Sequence, residues 1–306
     1  MIFEMKKFSV LFPFFLVLFV LVTHAYAYSD GPDSVMIKNL ENQHFDIKYF
    51  DYYTRSEAYS VPFVSGSGNR YSVGYYIYTP KNINPDESTP VIAYVSHGGG
   101  TSSEEKAFSL HCAANLATDA VIIIPNSDRA EAVCCCIEDA RKVLDGKGDF
   151  DAVSIHGTSS GGRAIIAAAE ESVNPDGGYH FRFLNICAYD PAADKDLNIA
   201  GNTEALKALA EQGTVLFIQT DLDISGHHGG SGLLCGKYAE AYSEAGGTVI
   251  LAEIHGGGDH ERKFIKPITH NSLNWAIGNG MLVEDDHYQN DWFYYEGDKK
   301  IPSTPE

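Results

Sequence analysis

The sequence predicts an α/β protein built on a mostly parallel, twisted β-sheet with helices on both faces. Two observations lead to this prediction: several short runs are apolar along their whole length, and helical patterns separate them along the chain. A strand that is apolar on both faces is typical of a parallel sheet covered on both sides by helices. The chain has 306 residues, a length that suits one domain with a sizeable core.

The first half of the chain alternates in this way after an irregular start. Residues 28–60 show no clear period, so they predict an irregular lead-in or one edge strand. Residues 71–78 are rich in β-branched and aromatic side chains, which predicts a strand. Runs of apolar residues predict buried strands at 91–95, 121–125 and 152–156. Helical patterns predict helices at 103–118 and 130–144.

The second half repeats the alternation, and glycines mark the ends of some of its helices. Strands are predicted at 181–189, 215–220 and 248–254, and helices at 203–211, 233–245 and 269–277. The crossovers between parallel strands are expected to be right-handed. Residues 281–306 form an acidic, aromatic tail that either packs against a domain spanning 28–280 or lies loose.

Residues 1–27 are predicted to be a signal peptide. Lys6 and Lys7 form a basic start, an apolar stretch from Phe8 to Val22 follows, and Ala25-Tyr26-Ala27 is a small-x-small cleavage pattern. The apolar stretch is shorter than the roughly 20 residues that a membrane-spanning helix needs. We therefore favour cleavage, and a secreted or extracytoplasmic protein, over retention of the segment as an anchor.

Charge and cysteine content narrow the classes of partner. The formal net charge is −19 at pH 7, and an acidic surface repels nucleic acid and anionic lipid.

Cys134, Cys135 and Cys136 are consecutive, and neighbours on a helix point about 100° apart, so the three cannot converge on one metal. Some of them are expected to be small apolar core residues, with a disulfide as the alternative, and we predict no metal site and no cofactor.

The pentapeptide Gly157-Thr158-Ser159-Ser160-Gly161 has the form G-x-S-x-G between the predicted strand 152–156 and a helical pattern that starts at Gly162. A strand, a tight glycine turn and a helix form the setting of a nucleophile elbow. The turn places the serine beside a helix N-terminus, where backbone N–H groups favour negative charge. Ser159 is therefore the candidate nucleophile.

Three further loops with chemistry-bearing residues follow predicted strands. They contain, in chain order, His97-Gly98-Gly99-Gly100 after 91–95, Asp221 and Asp223 after 215–220, and His255 and His260 at the end of 248–254 and beyond it. Glycines let the backbone come close to a developing oxyanion, and carboxylate and imidazole are the groups that activate a serine.

These motifs, in this order, resemble the α/β-hydrolase superfamily over residues 70–280. Within it the chain is similar to small secreted esterases with little or no cap, including feruloyl, acetyl-xylan and polyhydroxyalkanoate-depolymerase-like enzymes. The resemblance implies an α/β-hydrolase fold, a catalytic domain at 28–280, and a serine carboxylesterase that works through an acyl-enzyme intermediate.

The resemblance also implies a catalytic triad of Ser159, Asp223 and His260. Asp223 is favoured because the superfamily places its acid a few residues past the strand end, and Asp221 is the alternative. His260 is favoured because it follows a glycine loop, whereas His255 lies at the strand end.

An oxyanion hole is implied in the same way. One backbone N–H would come from Gly98 or Gly99, and the second from Ser160, directly after the nucleophile.

The short crossover between the strands 181–189 and 215–220 leaves no room for a large cap. An open cleft suits bulky or polymer-linked esters as substrates.

Two alternatives stay open: a non-catalytic α/β-hydrolase-like extracellular binding protein, and a serine peptidase of the same fold. The presence of serine, acid, histidine and glycine loop together argues against the first, and the lack of a large accessory domain argues against the second.

Overall fold

A computed structural model describes residues 52–95, 119–158, 181–187, 214–220, 234–255 and 289–303. These ranges contain eleven strands of one sheet. In chain order the strands are β1 Tyr53–Arg55, β2 Tyr59–Val64, β3 Arg70–Pro80, β4 Val91–Val95, β5 Val121–Pro125, β6 Val153–Thr158, β7 Phe181–Cys187, β8 Thr214–Thr220, β9 Thr248–His255, β10 Gln289–Glu296 and β11 Lys299–Ser303. The described helices are α1 Ala130–Val143 and α2 Leu234–Glu244, with a 3₁₀ turn at Phe150–Ala152.

The sheet runs in the order β1-β3-β5-β4-β6-β7-β8-β9-β10-β11, and β2 also pairs with β3. All pairs from β5 to β9 are parallel. The outer pairs are antiparallel. The predicted mostly parallel sheet is therefore confirmed, with antiparallel additions at both ends.

Both faces of the central strands are buried, as the all-apolar runs predicted. All five residues of β4 and all five of β5 are buried. Alternate residues such as Ala93 and Ile155 belong to one core cluster that also includes Val133 of α1 and Tyr242 of α2. The residues between them, such as Ile92, point to the opposite face and are fully buried as well.

The strand that leads to the candidate nucleophile lies further along the chain than expected. Residues 150–152 form a 3₁₀ turn, and β6 then runs from Val153 to Thr158 instead of over 152–156. The extension occurs because Gly157 and Thr158 find backbone partners in Ile186 and Cys187 of β7. As a result, the ladder continues to the residue directly before Ser159.

The start of the described chain forms two strands, β1 and β2, where the sequence predicted an irregular lead-in or one edge strand. β1 and β2 lie end to end along β3, and one extra residue separates their registers. Ser56 bridges the gap: its N–H donates to the Ile77 carbonyl at 2.8 Å, and its hydroxyl accepts from the Ile77 N–H at 3.0 Å. The gap is therefore a β-bulge closed by a side chain.

The C-terminal tail packs against the domain as a β-hairpin. β10 pairs antiparallel with β9, and β11 pairs with β10. The hairpin puts Lys299–Ser303 at the edge of the sheet, where lysines and Pro302 discourage pairing with another chain. The Lys300 ammonium lies 3.8 Å from the centre of the Phe293 ring.

The three consecutive cysteines lie on α1 and carry thiols. Cys136 is fully buried in the core cluster, and Cys134 and Cys135 pack against it. Burial raises the pKa of the Cys136 thiol, with smaller contributions from Cys135 and Asp139. The expectation that some of these residues are small apolar core residues is confirmed.

The predicted helices at 103–118, 203–211 and 269–277 and the predicted signal peptide at 1–27 lie outside the described residues. In the part of the chain that is described, no helix is long and apolar enough to cross a membrane.

Candidate functional site

The loops that the sequence singles out leave the sheet at one edge. β4, β6, β8 and β9 all belong to the parallel part of the sheet. The carboxyl ends of parallel strands lie at the same edge, which is where ligands bind in open α/β sheets. The glycine loop, the elbow, the acid loop and the histidine loop therefore all depart from this carboxyl edge.

The pairing register shows how far each of these strands extends toward the carboxyl edge. Val95, the last residue of β4, pairs with Gly157 of β6, and Gly157 pairs with Ile186 of β7. Thr220, the last residue of β8, pairs with Ile254 of β9. The strands that carry the four loops thus end within a few residues of one another along the strand direction.

The candidate site residues themselves lie outside the described residues, one or more positions beyond these strand ends. They are Ser159 and Ser160 after β6, Gly98 and Gly99 after β4, Asp221 and Asp223 after β8, and His260 after β9. Their placement stays a prediction, while the strand ends from which they depart are part of the described structure.

The strand order sets the lateral distances between the loops. Neighbouring strands lie about 4.7–4.9 Å apart. β4 is the direct neighbour of β6, whereas β7 separates β6 from β8, and β9 follows β8. The glycine loop therefore starts one spacing from the elbow, the acid loop two spacings from it, and the histidine loop three spacings, or roughly 14 Å, from it.

His255 is held in the ladder. It is the last residue of β9 and pairs with Gln289 of β10. Its backbone is thus fixed about three strand spacings from β6, as expected for a residue at the strand end.

Two aromatic side chains lie just below the carboxyl edge. Tyr94 of β4 and His156 of β6 are register partners, both fully buried, with ring centroids 4.5 Å apart and ring planes 26° apart. His156 is therefore a core residue of the sheet. The contact with Tyr94 could not be inferred, because the two residues belong to different strands.

The described residues also line a shallow depression of about 570 Å³ between residues 85–88 and 145–147. It lies at the opposite edge of the sheet, since residue 89 and Pro90 lead directly into the amino end of β4. Among the residues the structure covers, no three His, Cys, Asp or Glu side chains gather in a way that could hold a metal ion.

No known family profile matches the sequence, and no curated protein does so either. Solved structures do match. A fungal esterase from Rhizomucor miehei has a TM-score of 0.53 at 15% identity, covering 80% of this chain and 88% of that one. A thermostable esterase has a TM-score of 0.52 at 16% identity, covering 72% and 62%. An acylaminoacyl peptidase from Pyrococcus horikoshii has a TM-score of 0.50 at 14% identity, covering 75% and 43%.

Identities this low establish the fold and not the activity. The match spans less than two thirds of the thermostable esterase and of the peptidase. The likenesses agree with the sheet described above, in which a parallel centre is flanked by antiparallel strands and β4 and β5 exchange their order in space. The chain has the α/β-hydrolase fold.

Proposed function

We propose that this protein is a secreted serine carboxylesterase that cleaves bulky or polymer-linked esters through an acyl-enzyme intermediate. One observation carries the proposal: β6 ends at Thr158, directly before Ser159, in the middle of the carboxyl edge. In this fold a G-x-S-x-G turn at the end of a central strand presents its serine at the top of the sheet.

The reaction begins when the Ser159 hydroxyl oxygen bonds to the ester carbonyl carbon and His260 takes the hydroxyl proton. The bond from the carbonyl carbon to the alcohol oxygen then breaks, and His260 returns the proton to the leaving alcohol. Water attacks the acyl-serine by the same route, giving the carboxylic acid and restoring the Ser159 hydroxyl. Asp223 orients the imidazole and stabilises its protonated form.

The strand order supports the proposed oxyanion hole. The loop with Gly98 and Gly99 departs from β4, which is the direct neighbour of β6 and shares the Val95–Gly157 pair with it. The two segments that would supply the backbone N–H donors, the loop after β4 and the turn with Ser160 after β6, therefore leave strands that lie one strand spacing apart. Loss of one such donor typically lowers turnover by about 10²–10³-fold.

Chain reach supports His260 over His255 as the base. The imidazole must cover roughly 14 Å from the end of β9 to the elbow. The backbone of His255 is held in the β9–β10 ladder. The five residues from there to His260 span up to about 17 Å when extended, at about 3.3–3.6 Å each, so the loop can bridge the distance.

The acid loop departs from β8, the direct neighbour of β9, so a carboxylate there starts next to the histidine loop. Asp223 is the proposed acid, and the matched pair Asp223→Asn and Asp221→Asn tests it. We expect Asp223→Asn to lower kcat by about 10⁴-fold, with Asp221→Asn close to wild type. A large loss of kcat in Asp221→Asn, with Asp223→Asn close to wild type, would assign the acid to Asp221.

The central test of the function is ester hydrolysis by wild type beside two adjacent serine variants. Ser159→Ala removes the nucleophile, whereas Ser160→Ala keeps the backbone N–H that the mechanism uses. We expect Ser159→Ala to abolish turnover of p-nitrophenyl acetate and Ser160→Ala to keep most of it. Turnover by Ser159→Ala equal to that of wild type would contradict the proposal, and no turnover by folded wild type would favour the non-catalytic binding protein.

The substrate class is tested with a panel of esters. The segment between β7 and β8, residues 188–213, has an ordinary crossover length, so we propose an open cleft. We expect acetyl, feruloyl and short-chain esters to be cleaved faster than long-chain p-nitrophenyl esters. A preference for long acyl chains would contradict the open cleft, and release of p-nitroaniline from peptide anilides would favour the peptidase.

Export is tested by the N-terminus of the mature protein. Cleavage after Ala27 predicts that material recovered from outside the cytoplasm begins at Tyr28. A retained segment 1–27 in the exported protein would support the anchor instead.

A further inference from the structure

The ladder between β4 and β6 ends with two register pairs: Tyr94–His156, then Val95–Gly157. Glycine has no side chain, so Tyr94–His156 is the last pair in which both strands contribute one. We call Tyr94 and His156 the edge stack. Each is fully buried, in a sheet whose neighbouring positions on these strands are mainly aliphatic or small.

The geometry of the edge stack matches the spacing of the backbones that carry it. The ring centroids lie 4.5 Å apart at an interplanar angle of 26°. Neighbouring strands lie about 4.7–4.9 Å apart, so the two rings pack face to face without pulling the strands together or apart. The contact is therefore compatible with the ladder and supports the separation of β4 and β6 close to the point where their ladder ends.

Both strands lead from the edge stack into the proposed catalytic machinery within one short segment. Gly98 follows Tyr94 by four residues, and Ser159 follows His156 by three. In the proposed mechanism the nucleophile comes from the segment after β6 and an oxyanion donor from the segment after β4. Their separation thus depends on how far apart β4 and β6 are held at the edge.

We propose that Tyr94 and His156 are positioning residues, whose stack fixes the distance between the oxyanion loop and the nucleophile elbow. This inference rests on the proposed function and adds to it a determinant of turnover that does not contact the substrate. A misplacement of about 1 Å in an active site can cost about 10²-fold in rate. The stacked ring, and not the ionisable imidazole, is the feature that the role requires.

The kinetic test compares two replacements of His156 with a control on the same strand. His156→Ala removes the stack, His156→Phe keeps a flat ring against Tyr94, and Val153→Ala removes a fully buried side chain at the far end of β6. With p-nitrophenyl acetate we expect His156→Ala to lower kcat by about 10–10²-fold with little change in KM. His156→Phe and Val153→Ala should stay within about threefold of wild type.

Two kinetic results would overturn the proposal. A kcat for His156→Ala no lower than that for Val153→Ala would show that the stack does not position the site. A loss in His156→Phe as large as that in His156→Ala would show that the imidazole itself matters. If His156→Ala fails to fold, Tyr94→Leu removes the stack from the β4 side and is expected to show the same kcat loss.

Amide hydrogen exchange provides a readout that needs no substrate. We expect the amides of Val95 and Gly157 to exchange faster in His156→Ala than in Val153→Ala, and at the wild-type rate in His156→Phe. Equal rates in His156→Ala and Val153→Ala would overturn the proposal even in a chain without esterase activity. Conversely, activity that does not depend on Ser159 would overturn the proposed function while leaving the exchange result to decide on the stack.

Discussion

At the residue scale, Ser56 stabilises the edge of the sheet through its side chain. Its buried hydroxyl accepts a hydrogen bond from the Ile77 N–H and donates one to the Glu57 carbonyl at 2.8 Å. Ser56→Ala leaves a buried N–H without its acceptor, which costs about 1–3 kcal/mol. We expect urea denaturation followed by circular dichroism to show a loss in this range.

Ser60→Ala is the matched control for Ser56→Ala. The Ser60 hydroxyl lies 2.6 Å from that of Ser72 on the exposed surface of the same edge, so its removal should change the free energy of unfolding by no more than about 0.5 kcal/mol. Equal losses in the two variants would contradict the role assigned to the Ser56 hydroxyl.

Gly247 is required because a buried ring occupies the space of a side chain. A Cβ at this position would lie 2.0 Å from Cε1 of Tyr242, whose ring is fully buried and cannot move into solvent. We expect Gly247→Ala to lower the free energy of unfolding by about 1–3 kcal/mol. Gly74→Ala, whose Cβ would come no closer than 3.7 Å to the Tyr59 carbonyl, should be tolerated.

At the element scale, α1 is joined to β3 by a hydrogen bond from the Tyr75 hydroxyl to Asp139 at 2.8 Å. Burial, and then this carboxylate, raise the pKa of Tyr75 above its ordinary value near 10. Above about pH 10 the Tyr75 phenol loses its proton in the unfolded chain but keeps it in the folded protein. The free energy of unfolding therefore falls as pH rises. Below pH 10 the contribution is fully present.

Urea titrations at several pH values between about 9 and 11 measure this effect. We expect Tyr75→Phe to lose stability less steeply than wild type above pH 10, by up to about 1.4 kcal/mol per pH unit. Tyr71→Phe, which alters a ring that is 46% exposed, is the control and should follow wild type. Parallel curves for wild type and Tyr75→Phe would contradict the assignment.

The C-terminal hairpin protects the edge of β9. Six residues of β10 pair with β9, which leads into the proposed histidine loop. Deletion of residues 289–306 would expose this edge to pairing with other chains. We expect the truncated protein to have a lower Tm and to aggregate in size-exclusion chromatography, whereas deletion of 304–306 alone, beyond β11, should have no effect.

The sequence predicted some elements well and others poorly, for a physical reason. Residues 91–95 and 121–125 were predicted with the bounds that the structure has, because a run that is apolar at every position is itself the signal for a strand buried on both faces. The hairpin at 289–303 mixes aromatic with acidic and basic residues. It forms a strand pair against the open edge of β9, which no local pattern reports.

At the scale of the whole molecule, the candidate site is distributed over loops that are far apart in sequence. The G-x-S-x-G motif and the glycine loop have local patterns, so the sequence could indicate them. The distances between the loops follow from the spatial order β4-β6-β7-β8-β9, which is a property of the folded sheet. The edge stack was missed for the same reason, since its two residues meet only when β4 and β6 pair.

The central claim is that Ser159 is a nucleophile activated by the folded protein. A fluorophosphonate probe followed by intact mass and peptide mapping tests it most directly. We predict one adduct, on Ser159, in the native wild type and in Ser160→Ala, and none in Ser159→Ala or in urea-unfolded protein. Ester hydrolysis by native protein without an adduct on Ser159, or with the adduct on another residue, would contradict the account.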